Sequence, residues 1–406
     1  MMTSERVVPQ SVSELSDAVA RCDRDRRKIL VVGGDTLAGM GFPPERVDLT
    51  LETRGMAGVV AHEPADLTLA AYSGTALQSL TVALAVHGQF VPLDAPRAPY
   101  ATLGGTLAAG WVGPRRHVYG RPRDYVIGST VVLADGTIAR AGGMVVKNVA
   151  GYDLSRMYVG SFGTLGVLAQ VNLKALVAPP RVRVFLARLP ERTRARAFAH
   201  LWSLKIPPAA AFWTDGFHKT VDGDDGDEGR LLILFEGSEP LVERATRDLR
   251  AALGGAGVPE TVVVDAGARE SFQRVVDAYV ENLGERSITY RIHAFRERSE
   301  SVAASVAELA RHLGLRCERI VDVLNGDVVA RMSDLDTHAL GAKIERFDDL
   351  LHEAHANARV IAGSHPHRVY LRVWGEPPAG IEHMRALKRR FDPNRTLNPG
   401  RFVGGI

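Results

Sequence analysis

Cysteine is scarce in this chain, which has only Cys22 and Cys317 among its 406 residues. A four-cysteine iron–sulfur cluster or a zinc knuckle needs more thiolates than that, so the chain cannot hold either one by itself. Two cysteines also give no disulfide framework, which favours a reducing compartment. We therefore expect a cytoplasmic protein without structural disulfides.

Long apolar runs and a strong net charge are also missing. No apolar run approaches the ~20 residues that a membrane-spanning helix needs, and the segment around Glu5 and Arg6 does not resemble a signal peptide. A net charge of +3 gives no electrostatic case for binding nucleic acid. The length, with 46% hydrophobic and 24% charged residues, predicts a soluble protein of two domains.

The two commonest nucleotide-binding motifs are absent. Gly39-Met40-Gly41 is followed by Phe42-Pro43-Pro44, without the third glycine and the helix start of a dinucleotide fingerprint. No Walker A sequence occurs, so nucleotide hydrolysis has no support.

Glycine, by contrast, is concentrated in a few loops. A strand predicted at Lys28 to Val32 runs into Gly33-Gly34-Asp35-Thr36, where backbone N–H groups suit a pyrophosphate, although an ordinary tight turn is the alternative. Thr102 is predicted to cap a short helix that has Gly104 and Gly105 in its first turn. Each glycine costs roughly 1 kcal/mol relative to alanine, a cost that either ligand contact or close packing would explain.

The amino-acid sequence of these loops resembles that of a known family. The segments that carry the likeness are Lys147-Asn148-Val149-Ala150-Gly151-Tyr152-Asp153, Gly163-Thr164-Leu165-Gly166-Val167 and Asn398-Pro399-Gly400-Arg401-Phe402. Together with the earlier loops they resemble the FAD-binding domain of the vanillyl-alcohol-oxidase (PCMH) type. The likeness is tightest to the FAD-binding (E) subunits of bacterial glycolate oxidases, and it covers roughly residues 1–180 and the last 20 or so.

The resemblance implies an α+β fold. It implies a PCMH-type FAD-binding domain of two α+β subdomains in residues 1–180, an α+β cap domain with an antiparallel sheet in 181–375, and a C-terminal segment, 376–406, that returns to the FAD domain. Alternating strand and helix patterns in the middle of the chain support the cap. Its strands are predicted at Val182–Leu186, Leu231–Phe235, Ile288–Ile292 and Val369–Val373.

The resemblance also implies the cofactor site. FAD is expected to be noncovalent, because we identify no His or Cys tether, and no metal site is expected. Lys147 is either a cation that stabilises the anionic reduced flavin or a surface lysine, and Asn398 is expected near the isoalloxazine ring. The expected FAD contacts are Gly33, Gly34, Asp35, Thr36, Pro92, Thr102, Leu103, Gly104, Gly105, Gly113, Gly120, Lys147, Gly151, Gly163, Gly166, Val167 and Asn398.

No catalytic residue is identified. Relatives that oxidise 2-hydroxy acids carry a cap segment of the H-G-D-G-N-x-H kind, which supplies metal ligands and the catalytic base. Here Asn325-Gly326-Asp327 has no flanking histidine, and His365-Pro366-His367 is more simply an exposed loop than a metal site. Phe162 stands where many relatives have a glutamate.

These features predict an FAD-linked oxidoreductase and leave three roles open. The chain is the FAD-binding subunit of a glycolate-oxidase-like 2-hydroxy-acid dehydrogenase, with a D-type flavin subunit and an iron–sulfur F-type subunit as partners. Alternatively it is a stand-alone FAD oxidase or dehydrogenase of another alcohol or hydroxy acid, or a structural assembly subunit. Any membrane association is expected to come through partners.

Two basic segments are candidate docking surfaces for such partners. They are the loop from Arg115 to Arg123 and the helix from Arg385 to Arg390. Arginines of the loop suit a diphosphate or a substrate carboxylate equally well, and a solvated surface loop is the simpler alternative.

Overall fold

The computed structural model describes residues 5–145, 153–189, 191–217, 229–258, 261–281, 287–334, 340–363 and 368–406. The chain divides into two compact units. Unit 1 comprises Met1–Gly113, Arg121–Ala178 and Glu376–Ile406, and unit 2 comprises Pro114–Gly120 and Pro179–Gly375. Both units contain mixed helices and sheets, so the predicted α+β class is confirmed.

Unit 1 begins with a parallel three-stranded sheet in the order β1-β3-β2. Its strands are β1 (Glu5–Val7), β2 (Ile29–Val32) and β3 (Leu49–Glu52), and helix α1 (Val12–Arg24) connects the first two. Ser11 caps the start of this helix, because its hydroxyl oxygen accepts a hydrogen bond of 3.1 Å from the Glu14 backbone N–H. Every buried side chain of α1 lies on one face, as helical periodicity requires: Leu15, Ala18, Val19 and Cys22.

The second part of unit 1 is an antiparallel five-stranded sheet in the order β4-β5-β9-β7-β8, beside a small pair of β6 and β10. The strands are β4 (Val59–Glu63), β5 (Thr68–Tyr72), β6 (Gln89–Phe90), β7 (Val126–Val132), β8 (Ile138–Gly142), β9 (Val167–Lys174) and β10 (Leu176–Val177). The helices are α2 (Leu77–Ala85), α3 (Leu103–Ala108) and, near the chain end, α10 (Ile381–Phe391).

One hydrophobic core joins the two parts of unit 1 and the C-terminal tail. The buried face of α1 packs with Leu49 and Leu51 of β3, Val132 of β7, Val167 of β9 and Leu397 of the tail. The tail continues the parallel sheet, since Leu397 bridges Ile29 in parallel. The last residues of the chain are therefore part of the unit 1 core.

Unit 2 is built on an eight-stranded antiparallel sheet in the order β14-β11-β13-β12-β16-β17-β15-β18. The strands are β11 (Arg181–Arg188), β12 (Ala210–Asp215), β13 (Arg230–Gly237), β14 (Val262–Val264), β15 (Ser287–His293), β16 (Arg316–Asp322), β17 (Asp327–Ser333) and β18 (Arg359–Gly363). The helices are α4 (Arg116–Tyr119), α5 (Glu191–Trp202), α6 (Glu239–Gly255), α7 (Ala268–Ala278), α8 (Ser299–His312) and α9 (Leu340–Ala354).

One predicted strand of unit 2 is wrong. Val369–Val373 alternates apolar residues as a strand does, but the structure has turns and bends there. The Val373 N–H donates to the Leu371 carbonyl at 2.9 Å, which closes a tight local turn. The edge of the sheet is formed instead by β18, which pairs with β15.

In the part of the chain that the structure describes, no helix has the length and apolarity that crossing a bilayer requires.

Candidate functional site

An open cleft lies in unit 1, where the glycine loops predicted from the sequence meet; its empty space of about 790 Å³ includes solvent at the open side. Small or apolar residues form most of the wall. The lining residues are Val31, Val32, Gly33, Gly34, Asp35, Thr36, Leu37, Ala38, Thr53, Ser73, Thr102, Gly104, Gly105, Thr106, Ala108, Ala109, Phe162, Gly163, Gly166, Val167, Leu168, Asn398 and Arg401.

The first glycine loop follows β2 and packs directly against the backbone before α3. A Cβ atom on Gly34 would lie 1.7 Å from the Tyr100 carbonyl oxygen, and a Cβ on Gly33 would lie 2.1 Å from Thr102 Oγ1. Real Cβ atoms never approach other atoms so closely. These two glycines are therefore required by the approach of the two loops, and the same approach exposes their backbone to the cleft.

Helix α3 begins as predicted, with Thr102 as its N-cap. Thr102 Oγ1 accepts a hydrogen bond of 3.2 Å from the Gly105 N–H. A Cβ on Gly104 would lie 2.6 Å from the Ser73 Cβ, so close packing against that residue explains this glycine. Both Gly104 and Gly105 also line the cleft. Close packing therefore accounts for Gly104, and contact of either glycine with a ligand stays a prediction.

The third loop contains a strained aromatic residue. Phe162 has φ of 56°, in the left-handed region that non-glycine residues rarely adopt, and it is followed by Gly163 with φ of 66°. Its N–H donates to the Ala108 carbonyl at 2.8 Å, and its carbonyl accepts from Asn398 Nδ2 at 2.6 Å. The Phe162 ring stacks on Phe402, with 5.7 Å between centroids. Several contacts thus hold a conformation that is costly by itself.

Asn398 ties three segments of the cleft together. Besides donating to Phe162, its Oδ1 accepts from the Val31 N–H at 2.8 Å, and its own N–H donates to the Ile29 carbonyl at 2.9 Å. The residue is buried and lines the cleft. The C-terminal segment therefore returns to the glycine loops and completes one wall.

Lys388 holds backbone next to the same wall by hydrogen bonds, a role that the sequence analysis did not predict. Its Nζ donates to the Thr164 carbonyl at 2.9 Å, the Asp392 carboxylate at 2.6 Å and the Leu397 carbonyl at 2.8 Å. Burial lowers the pKa of Lys388, and Asp392 opposes that effect. Spacing of four residues between Lys388 and Asp392 on a helix end was the available signal. An exposed basic helix was the simpler interpretation of Arg385 to Arg390.

Two charged residues of opposite sign line the cleft. Asp35 adopts the left-handed conformation, with φ of 59°, and partial burial raises the pKa of its carboxyl, opposed by Arg401 and Arg54. Burial lowers the pKa of Arg401, and Asp35 opposes that effect. An Arg401 Nη2 hydrogen bond of 2.6 Å to the Met40 carbonyl fixes the guanidinium.

Several predicted contact residues do not line the cleft. Leu103 is fully buried in the core, Pro92 is buried, and a Cβ on Gly113 would meet Asp94 at 2.2 Å, so packing accounts for these positions. Gly120 belongs to the short segment that groups with unit 2. Lys147 and Gly151 lie outside the described residues, as do His365 and His367.

The predicted docking loop is partly wrong, because its first arginines are committed to ion pairs inside unit 2. Arg115 Nη1 lies 2.9 Å from Glu236 Oε1, and Arg116 Nη2 lies 2.9 Å from Asp327 Oδ2. Both arginine side chains are at least 87% buried, with exposed fractions of 11% and 13%. Arg121 and Arg123, which are exposed, are still available at the surface.

A histidine does reach Asp327, although none flanks it in the sequence. The antiparallel register of β15 and β17 pairs His293 with Asp327, and His293 Nδ1 lies 2.8 Å from Asp327 Oδ1. Arg291 and Arg116 contact the other carboxylate oxygen. Burial favours a higher pKa for Asp327, but Arg291, His293 and Arg116 together hold the pKa well below its usual range. Strand register was the missing information.

Next to this pair, burial raises the pKa of Asp322 to about 7, against the opposing charge of Arg116. Asp322 is fully buried and accepts hydrogen bonds from the backbone and side chain of Asn325. No group of three or more His, Cys, Asp or Glu side chains that could hold a metal ion occurs among the described residues.

Family models match both ends of the chain. Residues 4–142 match the model described as an FAD binding domain, and residues 367–402 match the C-terminal domain of FAD linked oxidases. These two ranges contain the glycine loop after β2, helix α3 and the tail that closes the cleft.

The curated proteins that resemble the chain include glycolate oxidase subunits and D-lactate dehydrogenases. The glycolate oxidase subunit GlcE of Escherichia coli (strain K12) is 34% identical over 242 residues, which are 59% of this chain and 64% of that subunit. The glycolate oxidase subunit GlcD of Bacillus subtilis (strain 168) is 28% identical over 98% of this chain and 88% of its own length. The mitochondrial D-lactate dehydrogenase [cytochrome] of Arabidopsis thaliana is 32% identical over 98% of this chain and 73% of its own.

The fold agrees with solved structures. A substrate-bound p-cresol methylhydroxylase superposes with a TM-score of 0.74 at 16% identity, over 98% of this chain and 88% of that one. The chain therefore belongs to the family of FAD-linked oxidases and dehydrogenases with a PCMH-type fold. Within that family it is similar to glycolate oxidase subunits and D-lactate dehydrogenases, and it is an FAD-linked oxidoreductase.

The cleft fits the FAD that this family uses. The glycine loop that follows β2 suits the diphosphate, and the apolar walls suit the flat ring systems. Phe162, Gly163, Gly166 and Asn398 form one wall, and the loop from Gly33 to Thr36 forms another. When bound there, FAD would supply a two-electron acceptor, while the protein supplies binding, orientation and charge.

Proposed function

We propose that this chain is the FAD-binding, E-type subunit of a glycolate-oxidase-like 2-hydroxy-acid dehydrogenase. The observation that carries the proposal is the 34% identity to the GlcE subunit, combined with a cleft in which the matching glycine loops and tail meet. A D-type flavin subunit and an iron–sulfur subunit of the F type are the proposed partners. The similarity of the same chain to GlcD supports an assembly of related flavin subunits.

The proposal divides the chemistry between subunits. Abstraction of a proton from a hydroxyl needs a base within hydrogen-bond reach. The cleft wall contains no histidine among its described residues, and Phe162 contributes an aromatic ring to it. The cleft residues accordingly bind and orient FAD and exclude water. The D-type partner carries out substrate oxidation, including removal of the proton, and the iron–sulfur partner accepts the electrons.

A stand-alone oxidoreductase is the second candidate. The D-lactate dehydrogenase relative, which matches nearly the whole chain, supports this candidate.

Rapid mixing distinguishes the two candidates. The purified, FAD-loaded chain is mixed anaerobically with glycolate and with D-lactate, alone and together with D-type and F-type subunits. The subunit proposal expects flavin bleaching only in the presence of partners. Bleaching of the isolated chain at an ordinary turnover rate, ~10 per second, would refute it in favour of the stand-alone enzyme.

The proposed location is the cytoplasm, and it rests on the cysteines. Cys22 and Cys317 are both free, one buried and one partly buried. A stable assembly with free thiols suits a reducing compartment. Fractionation of cells that express a tagged full chain, with and without its partners, would test both this location and attachment to a membrane through a partner.

A further inference from the structure

The charge of the cleft wall is unusually simple. Among the described residues that line the cleft, Asp35 and Arg401 are the charged ones. An FAD diphosphate brings two negative charges into this space, and burying them needs compensation by hydrogen bonds or a cation. The backbone N–H groups of the glycine loops provide the first kind of compensation. Arg401 is placed to provide the second.

Several contacts hold the Arg401 guanidinium at the wall. Its Nη2 donates to the Met40 carbonyl at 2.6 Å, and its Cζ lies over the Phe162 ring, 5.9 Å from the centroid. The Arg401 carbonyl also accepts a hydrogen bond of 3.1 Å from the Phe42 N–H. A guanidinium fixed in this way loses little further freedom when an anion binds, so its charge is preorganised.

Asp35 is the electrostatic counterpart of Arg401 within the loop that follows β2. It raises the pKa of Arg401, and Arg401 in turn lowers that of Asp35. A carboxylate in an anion-binding loop opposes a diphosphate by like-charge repulsion. The apparent affinity for FAD is therefore a balance between attraction by Arg401 and repulsion by Asp35.

We propose that Arg401 is the cation that binds the diphosphate of FAD, and that Asp35 offsets part of this attraction. The proposal concerns the cofactor and is independent of which substrate or partners the enzyme uses. It also gives the C-terminal tail a direct part in binding, in addition to the structural role of Asn398.

The test compares two ligands that differ in the diphosphate. FAD and riboflavin share the isoalloxazine ring and ribityl chain, but riboflavin has no phosphate. Titration of the apoprotein, followed by flavin fluorescence, should show that Arg401→Met weakens FAD binding about tenfold to a hundredfold, as loss of a hydrogen bond to a charged group does. Riboflavin binding should be unchanged, and Arg401→Lys should retain part of the FAD affinity.

The matched control is Arg395→Met. Arg395 is on the same tail, but it is 48% exposed and pairs with Glu45 at 2.8 Å, so its loss should leave both affinities unchanged. Asp35→Asn keeps a residue that tolerates φ of 59° and should tighten FAD binding several-fold, without affecting riboflavin. In the double variant the two effects should not add, because each residue modifies the field of the other.

Three results would overturn the proposal. An Arg401→Met variant that binds FAD as tightly as the wild type would show that the charge of Arg401 does not contribute to FAD binding. Equal weakening of FAD and riboflavin would place the effect on the ring or on the fold of the loop around Met40. Wild-type FAD affinity that does not fall with added salt would also contradict a cation–diphosphate contact, and this last measurement needs no variant.

Discussion

The two units of this protein differ in what their buried polar groups do: unit 1 has closely packed glycine loops around a cleft, and unit 2 has buried ion pairs. In unit 1 the cleft is made by glycines that let loops approach within contact distance, with a single arginine and a single carboxylate along its described wall. In unit 2 one end of the sheet contains arginines and carboxylates in direct buried contact, such as Arg116 with Asp327. The first arrangement leaves space for a ligand, and the second fills the space with ion pairs. The comparison shows why a small-residue loop identifies a binding site better than a cluster of arginines does.

The largest effect is expected when the unit 1 arrangement is broken with one methyl group. Gly34→Ala places a Cβ within 1.7 Å of the Tyr100 carbonyl oxygen, and backbone cannot move aside as a side chain can. We expect loss of FAD binding and destabilisation of unit 1 by about 3 kcal/mol, measured by flavin titration and thermal unfolding. The control is Gly254→Ala in α6, where no heavy atom lies within 4 Å. If both variants bound FAD normally, the loop packing described here would be wrong.

The second largest effect is expected when a buried ion pair of unit 2 is broken. Arg116→Met leaves Asp327 and Asp322 without one of their buried positive partners. Removing one partner of a buried ion pair costs about 3–5 kcal/mol, so unit 2 should unfold at lower urea concentration while FAD affinity is kept. Arg123→Met, at an exposed position, is the control. An Arg116→Met protein as stable as the Arg123→Met protein would show that the ion pairs contribute nothing net.

A smaller effect depends on pH. The Asp322 carboxyl has a pKa of about 7 in the folded protein and 3.8 as its ordinary value. Between these values the folded state binds more protons than the unfolded state, so the free energy of unfolding falls as pH rises. Asp322→Asn should flatten this fall, which urea unfolding at about pH 5 and about pH 8 would measure. The low pKa of Asp327 acts only below this window. An unchanged slope in the variant would mean that Asp322 is ionised when folded.

The smallest effect tests local structure in unit 1. Ser11→Ala removes the oxygen that caps α1, which should cost about 1 kcal/mol in the free energy of unfolding. Ser13→Ala, two residues on at an exposed helical position, is the control and should change stability little. A cap variant indistinguishable from that control would place the start of α1 under tertiary rather than local control.

Whether a feature could be predicted from the sequence depends on how far apart along the chain its interacting residues are. The cap of α3 depends on Thr102 and Gly105, which are three residues apart, and the structure has it where the pattern predicts. The family resemblance extended this to the return of the tail.

The rest depended on long-range packing. The contact between His293 and Asp327 needs strand register, and the burial of Lys388 needs the position of Thr164, 224 residues away. The failure at Val369–Val373 is of the same kind, since Leu371 and Val373 are buried in a turn just as they would be in a strand. The sequence did not predict a position for Arg401 at the cleft, because nothing local distinguishes an arginine at a cleft wall from one in solvent.

The hydrogen bond between Asn398 and the Val31 N–H spans 367 residues of sequence, and it has a consequence for biosynthesis. During synthesis the N-terminal loops leave the ribosome long before the tail that completes their wall. At about 5–20 residues per second, the interval is on the order of tens of seconds. The nascent chain therefore has an incomplete cleft throughout that time, and the wall at Asn398 is added only after the tail has been synthesised.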